Sequence, residues 1–433
     1  MKSGMRFLLL PAIAVFFLLA GAGCSGKQKS DQVTLTVMTR WTGSEGMTDV
    51  WENFVADFQK NNPGVTVNDL SVSEEASYNN KFRTMAATGE LPNVFYLPGI
   101  AALVKYAESG MIADISPLLE DRAWYDGFVE GAFDMFRFDS YGVPGVYAVP
   151  FAAAPEGIFY NADLFRKVGY DTFPETMPEF YEAMDKLKAA GIVPFAPGAR
   201  DTWRTGHIHN QFLYKWAGVP AAMDMGARKK KWTDQDVVES LAFVKDMKAR
   251  GYFVDNCEAL TLDMEKAMFF DQQSAMVCNG SWFIGDITGE NLDFEAASAP
   301  WPYFPEKPQF RGHITNYPQN FIMRGGLEGA EYDLTAKFLK EFTGRERQSI
   351  IVNAKKTLPA RRDIDTASMN VPPLFTQSMG ILQNSTQGGG DSFDYDQLSS
   401  MQDVTRNAII GMLLGNSPEQ AAREIQDEID KNG

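Results

Sequence analysis

Aromatic and carboxylate side chains follow the apolar segments of this sequence at the points where those segments end. Val33–Thr39 is an alternating, β-rich apolar run, and Trp41 and Glu45 come directly after it. The acidic pair at positions 74–75 follows a second such run, Val65–Leu70. Because open α/β sheets bind ligands beyond the carboxyl ends of their strands, we expect these side chains at one rim. Flat rings cover the C–H faces of a sugar, and carboxylates accept hydrogen bonds from its hydroxyls.

The candidate site therefore combines rings for stacking with polar groups for hydroxyl recognition. The stacking candidates are Trp41, Tyr96, Phe151, Trp203, Trp282 and Tyr317, and the polar candidates are Glu45, Glu74, Glu75, Asn210, Asn320 and Arg361. A single Trp or Phe more often packs in a core than in a site. Trp41 and Trp282 are the preferred stacking residues because each follows an apolar strand-like run. One of Glu74 and Glu75 is expected to face ligand, with pairing to nearby basic residues as the alternative.

Catalytic and metal-binding sites have weaker support. A glycosidase needs two carboxylates flanking a bond, and among 56 acidic residues no local motif marks such a pair. His207 and His209 could bind a metal, but a catalytic zinc site needs a third ligand at a recognisable interval. The three carboxylates of Asp391–Asp396 lack the spacing and central glycine of a calcium loop. We expect no metal, no cofactor and no enzymatic activity.

The N-terminus predicts export. Lys2 and Arg6 precede the apolar run Phe7–Ala20, and the small-residue segment GAGCSG follows. These are the n-region, h-region and cleavage zone of a secretory signal. The apolar run is too short for a bilayer span, which needs about 20 residues. Residues 1–23 are therefore predicted to be a signal peptide.

The segment that ends at Cys24 resembles a bacterial lipobox, although Gly21 stands where an aliphatic residue is usual. The resemblance implies a lipid on Cys24, with residues 24–32 as a polar tether. The protein would then be extracytoplasmic, anchored to the outer face of the cell membrane by this lipid only. A plain secretory signal is the alternative.

Net charge and cysteine content restrict the partners. Loss of the two cations in the signal peptide takes the formal charge from −16 to −18. So acidic a chain is not expected to bind nucleic acid through phosphates or anionic lipid surfaces. Beyond Cys24 only Cys257 and Cys278 remain. In an oxidising compartment they could form a disulfide or stay as two buried thiols.

Strand-like and helix-like segments alternate along the chain. Helical spacing over Thr48–Asn61 is followed by NNPG, which predicts the helix end. A second helix over Tyr78–Thr88 and a strand over Val94–Leu97 complete a pattern typical of a parallel, doubly wound sheet. A second α/β unit is indicated by a capping box at Thr176–Glu179. Glycine-rich Gly388–Phe393 is predicted to be a flexible loop.

Several segments together resemble the carbohydrate-type extracellular solute-binding proteins of bacterial ABC transporters. Their order and spacing carry the resemblance over nearly all of the chain beyond the predicted signal peptide. The matching segments are NPGVTV (Asn62–Val67), TGELPNVFY (Thr88–Tyr96), YGVPGVYAVPF (Tyr141–Phe151), IFYNADLFRKVGY (Ile158–Tyr170), SAMVCNGSWFIGDI (Ser274–Ile287) and TLPARRD (Thr357–Asp363). The chain departs from the pattern at Asn93, where Asp is usual, and at Ile314–Phe321, which lacks a glycine pair.

The resemblance implies an α/β, two-lobe periplasmic-binding-protein-like fold with hinge crossovers and an inter-lobe ligand cleft. Lobe one would comprise residues 33–144 and 302–358, and lobe two residues 145–301 and 359–433. It implies a substrate-binding lipoprotein of an ABC importer, a monomer that captures a sugar or oligosaccharide by inter-lobe closure and passes it to permease subunits. The alternatives are a secreted carbohydrate-active enzyme, or a binding protein for a glycerophosphodiester, polyamine or peptide.

Overall fold

The computed structural model describes residues 32–43, 47–97, 101–398 and 400–433. The predicted signal peptide, Cys24 and Glu45 lie outside the described residues. Within these ranges, none of the helices has the length and apolar character needed to cross a bilayer.

The helices and strands run as follows. The first part of the chain contains β1 (Val33–Met38), α1 (Thr48–Asn61), β2 (Val65–Asp69), α2 (Glu75–Thr88), β3 (Val94–Phe95), α3 (Ala101–Glu108), α4 (Arg122–Tyr125) and β4 (Val149–Ala152). The second contains β5 (Glu156–Asn161), α5 (Ala162–Lys167), α6 (Met177–Ala189), β6 (Val193–Phe195), α7 (Trp203–Trp216), α8 (Val219–Gly226), α9 (Gln235–Ala249), α10 (Leu262–Phe270), β7 (Ser274–Gly280), α11 (Phe283–Gly289), β8 (Ala296–Ala299) and β9 (His313–Thr315). The last contains β10 (Gln319–Met323), α12 (Gly329–Phe342), α13 (Arg345–Lys355), α14 (Pro373–Gln383), β11 (Gln387–Gly389), α15 (Met401–Leu414) and α16 (Pro418–Asn432).

Lobe one is built on a five-stranded sheet with the order β2-β1-β3-β10-β4. β1 pairs in parallel with β2 and β3, with Val33 opposite Val65, whereas β10 is antiparallel to β3 and β4. The expectation of an all-parallel sheet is therefore wrong at β10, which enters from a later part of the chain. Helix α1 packs its apolar face, which includes Trp51 and Phe54, against Phe338 of α12.

Lobe two has a mixed four-stranded sheet with the order β6-β7-β5-β8. Only β6 and β7 are parallel, and β5 is antiparallel to both of its neighbours. A separate parallel pair joins β9 to β11 through residues 387–389. Gly388–Phe393 is thus not the predicted flexible loop. Its β-pairing and the burial of Asp391 and Phe393 fix it against α7 and α15.

Three crossovers connect the lobes and lie side by side. The backbone N–H of Ala153 donates to Leu358 O at 2.9 Å, and that of Tyr317 donates to Ala154 O at 3.0 Å. The side chain of Asn316 accepts from the N–H of Ala154 at 3.1 Å. Residues 153–155, 316–318 and 358–360 therefore form the hinge.

This hinge moves the predicted lobe boundaries. β4 is hydrogen-bonded into the first sheet, so lobe one continues to Ala152 instead of ending at residue 144. Trp301 and Phe304 pack in the core of lobe two, so the return to lobe one begins near β10 and not at residue 302. Ala360 still belongs to the core of lobe one. An apolar run such as that of β4 indicates a strand but carries no information on which sheet the strand joins.

Several local predictions are confirmed. α1 spans the predicted residues, and α2 ends at the predicted Thr88, although it begins earlier, at Glu75. The capping box at Thr176 and Glu179 has both of its hydrogen bonds. Cys257 and Cys278 are buried, free thiols. Of the two alternatives for this pair, the structure therefore shows the unbridged thiols and not the disulfide.

Candidate functional site

Four rings meet where lobe two borders the hinge, and we call them the aromatic platform: Trp203, His207, Tyr317 and Trp282. Trp203 and His207 are i, i+4 neighbours on the first turns of α7, so they share one helix face. The Trp203 and His207 rings are 4.9 Å apart, and His207 stacks on Tyr317 at 4.3 Å and 10°. Trp282 meets Tyr317 at 6.3 Å. A Cβ at position 280 would overlap the Trp282 ring, so the glycine allows the ring to lie where it does.

A second group, which we call the polar cluster, joins the platform to lobe one: Asn210, Asp391, Arg406 and Glu75. Asn210 Nδ2 donates to Tyr317 Oη at 3.0 Å and to Asp391 Oδ1 at 2.6 Å. Arg406 donates to Asp391 Oδ2 at 3.4 Å and to Glu75 Oε1 at 3.3 Å. Glu75 is the first residue of α2 in lobe one, whereas Arg406 lies on α15 in lobe two. The polar cluster therefore spans the gap between the lobes.

Burial and neighbouring carboxylates raise the pKa values of Asp394 and Tyr96. Burial and the charge of Asp391 raise the pKa of Asp394 well above its ordinary value. Burial also raises the pKa of Tyr96 to about 12, with Arg40 opposing and Glu75 and the two aspartates adding to the rise. Tyr96 follows β3 in lobe one, so its pKa is raised by carboxylates from both lobes.

The predicted site residues divide into two groups. Trp203, Trp282, Tyr317 and Asn210 are brought together in lobe two and the hinge, and Glu75 of lobe one pairs with Arg406 of the polar cluster. Trp41 is partly buried among four rings of lobe one, with centroid distances from 5.2 to 5.9 Å. Among the described residues, these four ring contacts do not include Trp282, the other preferred stacking residue.

Two predicted ligand residues are structural. Phe151 is completely buried against Trp41 and Phe321, so its ring offers no face to a ligand. The guanidinium of Arg361 is buried, pairs with Asp363 and donates to the carbonyls of Trp124 and Thr343. Both predictions are wrong because the two side chains are buried. The spacing of residues along the sequence does not indicate such burial.

Two further polar candidates, Glu74 and Asn320, lie at structural positions. Glu74 caps α2 by accepting from the backbone N–H groups of Ala76 and Ser77 at 2.9 and 2.6 Å. Glu75, not Glu74, therefore points toward the other lobe. Asn320 is buried in β10 at an irregularity in its pairing with β4.

The sequence patterns did not identify four residues of this site. They are His207, Asp391, Arg406 and Glu156, whose Oε1 lies 2.9 Å from His207 Nδ1. His207 and Asp391 were noted only as metal candidates, in HIH and DSFDYD. Within the described residues, no group of three or more His, Cys, Asp or Glu side chains could hold a metal ion. A signal exists only for His207, which lies four residues after Trp203 and so on the same face of a helix.

Comparison with known proteins places this chain in a family. Residues 53–377 match the family described as bacterial extracellular solute-binding protein. A multiple sugar-binding protein of Streptococcus mutans is 22% identical over 284 residues, which are 64% of this chain and 64% of the relative. An sn-glycerol-3-phosphate-binding periplasmic protein of Brucella abortus is 26% identical over 233 residues, covering 47% of this chain and 49% of the relative. The chain thus spans about half to two thirds of the length of these curated relatives.

A solved structure gives the fold over nearly the whole chain. A chitin oligosaccharide binding protein superposes with a TM-score of 0.85 at 24% identity, covering 93% of this chain and 99% of that protein. The two-lobe α/β architecture expected from the sequence is confirmed by this likeness. Because the family match extends over well more than half of the sequence, this chain belongs to the bacterial extracellular solute-binding proteins.

Proposed function

We propose that this protein captures a neutral sugar or oligosaccharide between its lobes and delivers it to the permease of an ABC importer. The observation that carries the proposal is the contact between the aromatic platform and a polar cluster that spans both lobes. Rings and carboxylates in one cleft match the two faces of a sugar, its C–H patches and its hydroxyls. The names of the sugar-binding relatives and of the chitin oligosaccharide binding protein agree with this class of ligand.

Closure follows from the position of the polar cluster. Glu75 moves with lobe one, whereas Asp391 and Arg406 move with lobe two. A ligand held by groups of both lobes lowers the free energy of the closed form relative to the open form. Within the described residues, Nε of Arg406 is buried without a hydrogen-bond partner. A ligand oxygen in the cleft would supply that partner.

The charges of the cleft disfavour an anionic ligand such as glycerol 3-phosphate. Arg406 is already shared between Glu75 and Asp391, and Arg40 lies 3.7 Å from Glu75. A phosphate group would have to compete with these carboxylates for each cation. We therefore rank the neutral sugar above a phosphorylated solute, despite the glycerol-phosphate-binding relative.

A thermal-shift panel tests the function. The probes are maltose, N,N′-diacetylchitobiose, xylobiose, stachyose and galactose, with sn-glycerol 3-phosphate as the anionic comparison. Binding stabilises the folded protein by mass action, by about 2.7 kcal/mol at a ligand concentration 100 times the Kd. We expect a raised Tm with at least one neutral sugar and none with the phosphate. A shift with the phosphate alone would contradict the proposal.

Two further arms test the remaining parts of the proposal. A receptor returns its ligand unchanged, so chromatography of the bound sugar after long incubation should show no cleavage products; products would indicate an enzyme. Lipid attachment at Cys24 predicts that the mature protein enters the detergent phase and that Cys24→Ala stays in the aqueous phase. Sedimentation should give a monomer.

A further inference from the structure

His207 is held between two carboxylates. Its Nδ1 lies 2.9 Å from Glu156 Oε1, and its Nε2 lies 3.8 Å from Asp391 Oδ1. One face of the imidazole is covered by Tyr317, the hinge residue on which it stacks. The ring is therefore fixed in its plane, with one nitrogen facing inward and the other toward the polar cluster.

Glu156 determines the state of Nδ1. Its side chain is completely buried, and Oε2 accepts from Gln211 Nε2 at 3.1 Å and from Thr315 Oγ1 at 3.2 Å. Burial would raise the pKa of Glu156, but the charges of His207 and Arg204 outweigh it, and this pKa is lowered. An ionised carboxylate only accepts hydrogen bonds. Nδ1 of His207 therefore carries a hydrogen.

The 3.8 Å between Nε2 and Asp391 Oδ1 is too long for a direct hydrogen bond. One oxygen atom can lie within hydrogen-bond distance of both. A hydroxyl has a single hydrogen, so it donates to the carboxylate and must accept from the imidazole. That requires a second N–H on Nε2, as in the doubly protonated ring.

We propose that His207 is a ligand-recognition residue, protonated on both nitrogens, whose Nε2–H and the Asp391 carboxylate are bridged by one hydroxyl of the captured sugar. The proposal rests on the proposed function, because the bridging hydroxyl belongs to that sugar. Glu156 acts as a positioning residue that orients the imidazole through its hydrogen bond with Nδ1.

The bridge makes sugar affinity depend on pH. The charged and titratable groups around the imidazole are Glu156 on β5, Asp391 and Asp394 after β11, Arg204 on α7, Arg406 on α15 and Tyr317 in the hinge. Arg204 is engaged by Glu265, and Arg406 by Asp391 and Glu75. Loss of the second proton leaves two acceptors facing one hydroxyl. Affinity should therefore fall as the pH rises and the Nε2 hydrogen is lost.

Imidazole ¹⁵N NMR of the protein saturated with the sugar that gives the largest thermal shift tests the protonation directly. The chain has three histidines, so the spectrum is small. His209 serves as the internal reference because burial lowers its pKa to about 3. In the complex we expect His207 to show two protonated nitrogens while His209 is neutral. A neutral His207 in the complex, or one without a hydrogen on Nδ1, would overturn the proposal.

The binding test uses maltose and N,N′-diacetylchitobiose with His207→Asn. The asparagine amide can still donate to Glu156 but has no group at the Nε2 position. We expect the affinity to fall about 10- to 100-fold, the range for hydrogen bonds to charged groups, and the pH dependence to disappear. His209→Gln, on the same helix but bonded to Ser240, is the matched control and should bind as the wild type.

The outcomes separate the two proposals. Failure of the wild-type protein to bind any sugar of the panel contradicts the proposed function. Wild-type affinity in His207→Asn, with the wild-type pH profile, contradicts only the role of His207. If His207→Asn does not fold, His207→Gln, which keeps an Nε2-like amide, and the wild-type NMR spectrum decide instead.

Discussion

Trp203 and Trp41 are both partly buried, but they have different neighbours. Trp203 contacts His207 of the platform and lies 4.4 Å from the Arg204 guanidinium. Trp41 packs on four rings of the lobe-one core. Partial burial alone therefore does not identify a ligand-binding tryptophan. The two tryptophans differ in the rings they contact, and we use this difference to assign Trp203 to the site.

We predict that Trp203→Ala reduces sugar affinity at least about tenfold with little loss of stability, because its partly exposed ring belongs to the aromatic platform. Trp41→Ala should instead destabilise lobe one by about 3 kcal/mol, the usual cost of removing a large core ring, and leave the affinity of the remaining folded protein near wild type. Calorimetric titration and denaturant unfolding of both variants measure this. Equal effects on affinity would contradict the assignment.

Lys215 is a buried lysine at the end of α7. Its Nζ donates to the carbonyl of Arg311 at 2.7 Å. Burial, with a smaller contribution from Arg311, lowers the pKa of Lys215 to about 7. The unfolded chain therefore holds one more proton than the folded chain between about pH 7 and the ordinary lysine pKa. Stability consequently rises with pH over this interval.

Lys215→Met should stabilise the protein by about 2 kcal/mol near pH 6.5, since methionine removes the buried charge while the Arg311 carbonyl loses its donor. The gain should shrink toward pH 10. Denaturant unfolding at pH 6.5 and 9.5 measures both. The exposed Lys167→Met is the control, and an equal gain at both pH values would show that the buried ammonium is not the cause.

At the scale of elements, α8 and the segment after β11 approach closely at Gly226. A Cβ at this position would overlap the backbone carbonyl of Tyr395. This segment carries Asp391 and Asp394 and is pinned to α8 through Arg228, which pairs with Asp396. The geometry of the polar cluster thus depends on a contact far from the hinge.

Gly226→Ala is predicted to lower both stability and sugar affinity, because α8 must move away from the segment that carries Asp391. Gly380→Ala in α14 is the matched control, since a Cβ there meets no atom within 4 Å. It should stabilise the protein by about 0.5 to 1 kcal/mol through helix propensity. Thermal unfolding and titration with maltose and N,N′-diacetylchitobiose compare the two. Wild-type affinity in Gly226→Ala would contradict the coupling.

Local sequence patterns predicted elements better than they predicted partners. The bounds of α1 and the capping box of α6 depend on residues within a few positions of each other, and both were predictable. The polar cluster joins Asn210 to Asp391 across 181 positions, and Arg406 to Glu75 across 331. Periodicity carries no information on such distant contacts. For the same reason it did not place Phe151 in a core or β4 in the first sheet.

At the scale of the whole molecule, ion pairs connect the lobes without a ligand. Glu75 pairs with Arg406, and Arg83 lies 3.7 Å from Asp403, so α2 faces α15 through two pairs. Arg83 and Asp403 are more than half exposed, and such pairs contribute at most about 1 kcal/mol. A free-energy contribution of this size is enough to shift an equilibrium between open and closed forms.

We therefore expect the ligand-free protein to open as salt is added. Raising NaCl from about 10 mM to 1 M shortens the screening length from about 30 Å to 3 Å. Small-angle scattering should then show a larger radius of gyration. A saturating sugar should remove this salt dependence. A radius that does not change with salt would mean that packing, not charge, holds the lobes together.

The proposed function requires a sugar between the lobes, against the aromatic platform and the polar cluster. A crystal structure of the protein grown with the sugar that gives the largest thermal shift would show whether the sugar lies there. We expect a sugar ring packed on the aromatic platform, with a hydroxyl at Asp391 and another contact from lobe one. Sugar density on an outer face of either lobe, with the cleft unchanged, would contradict it.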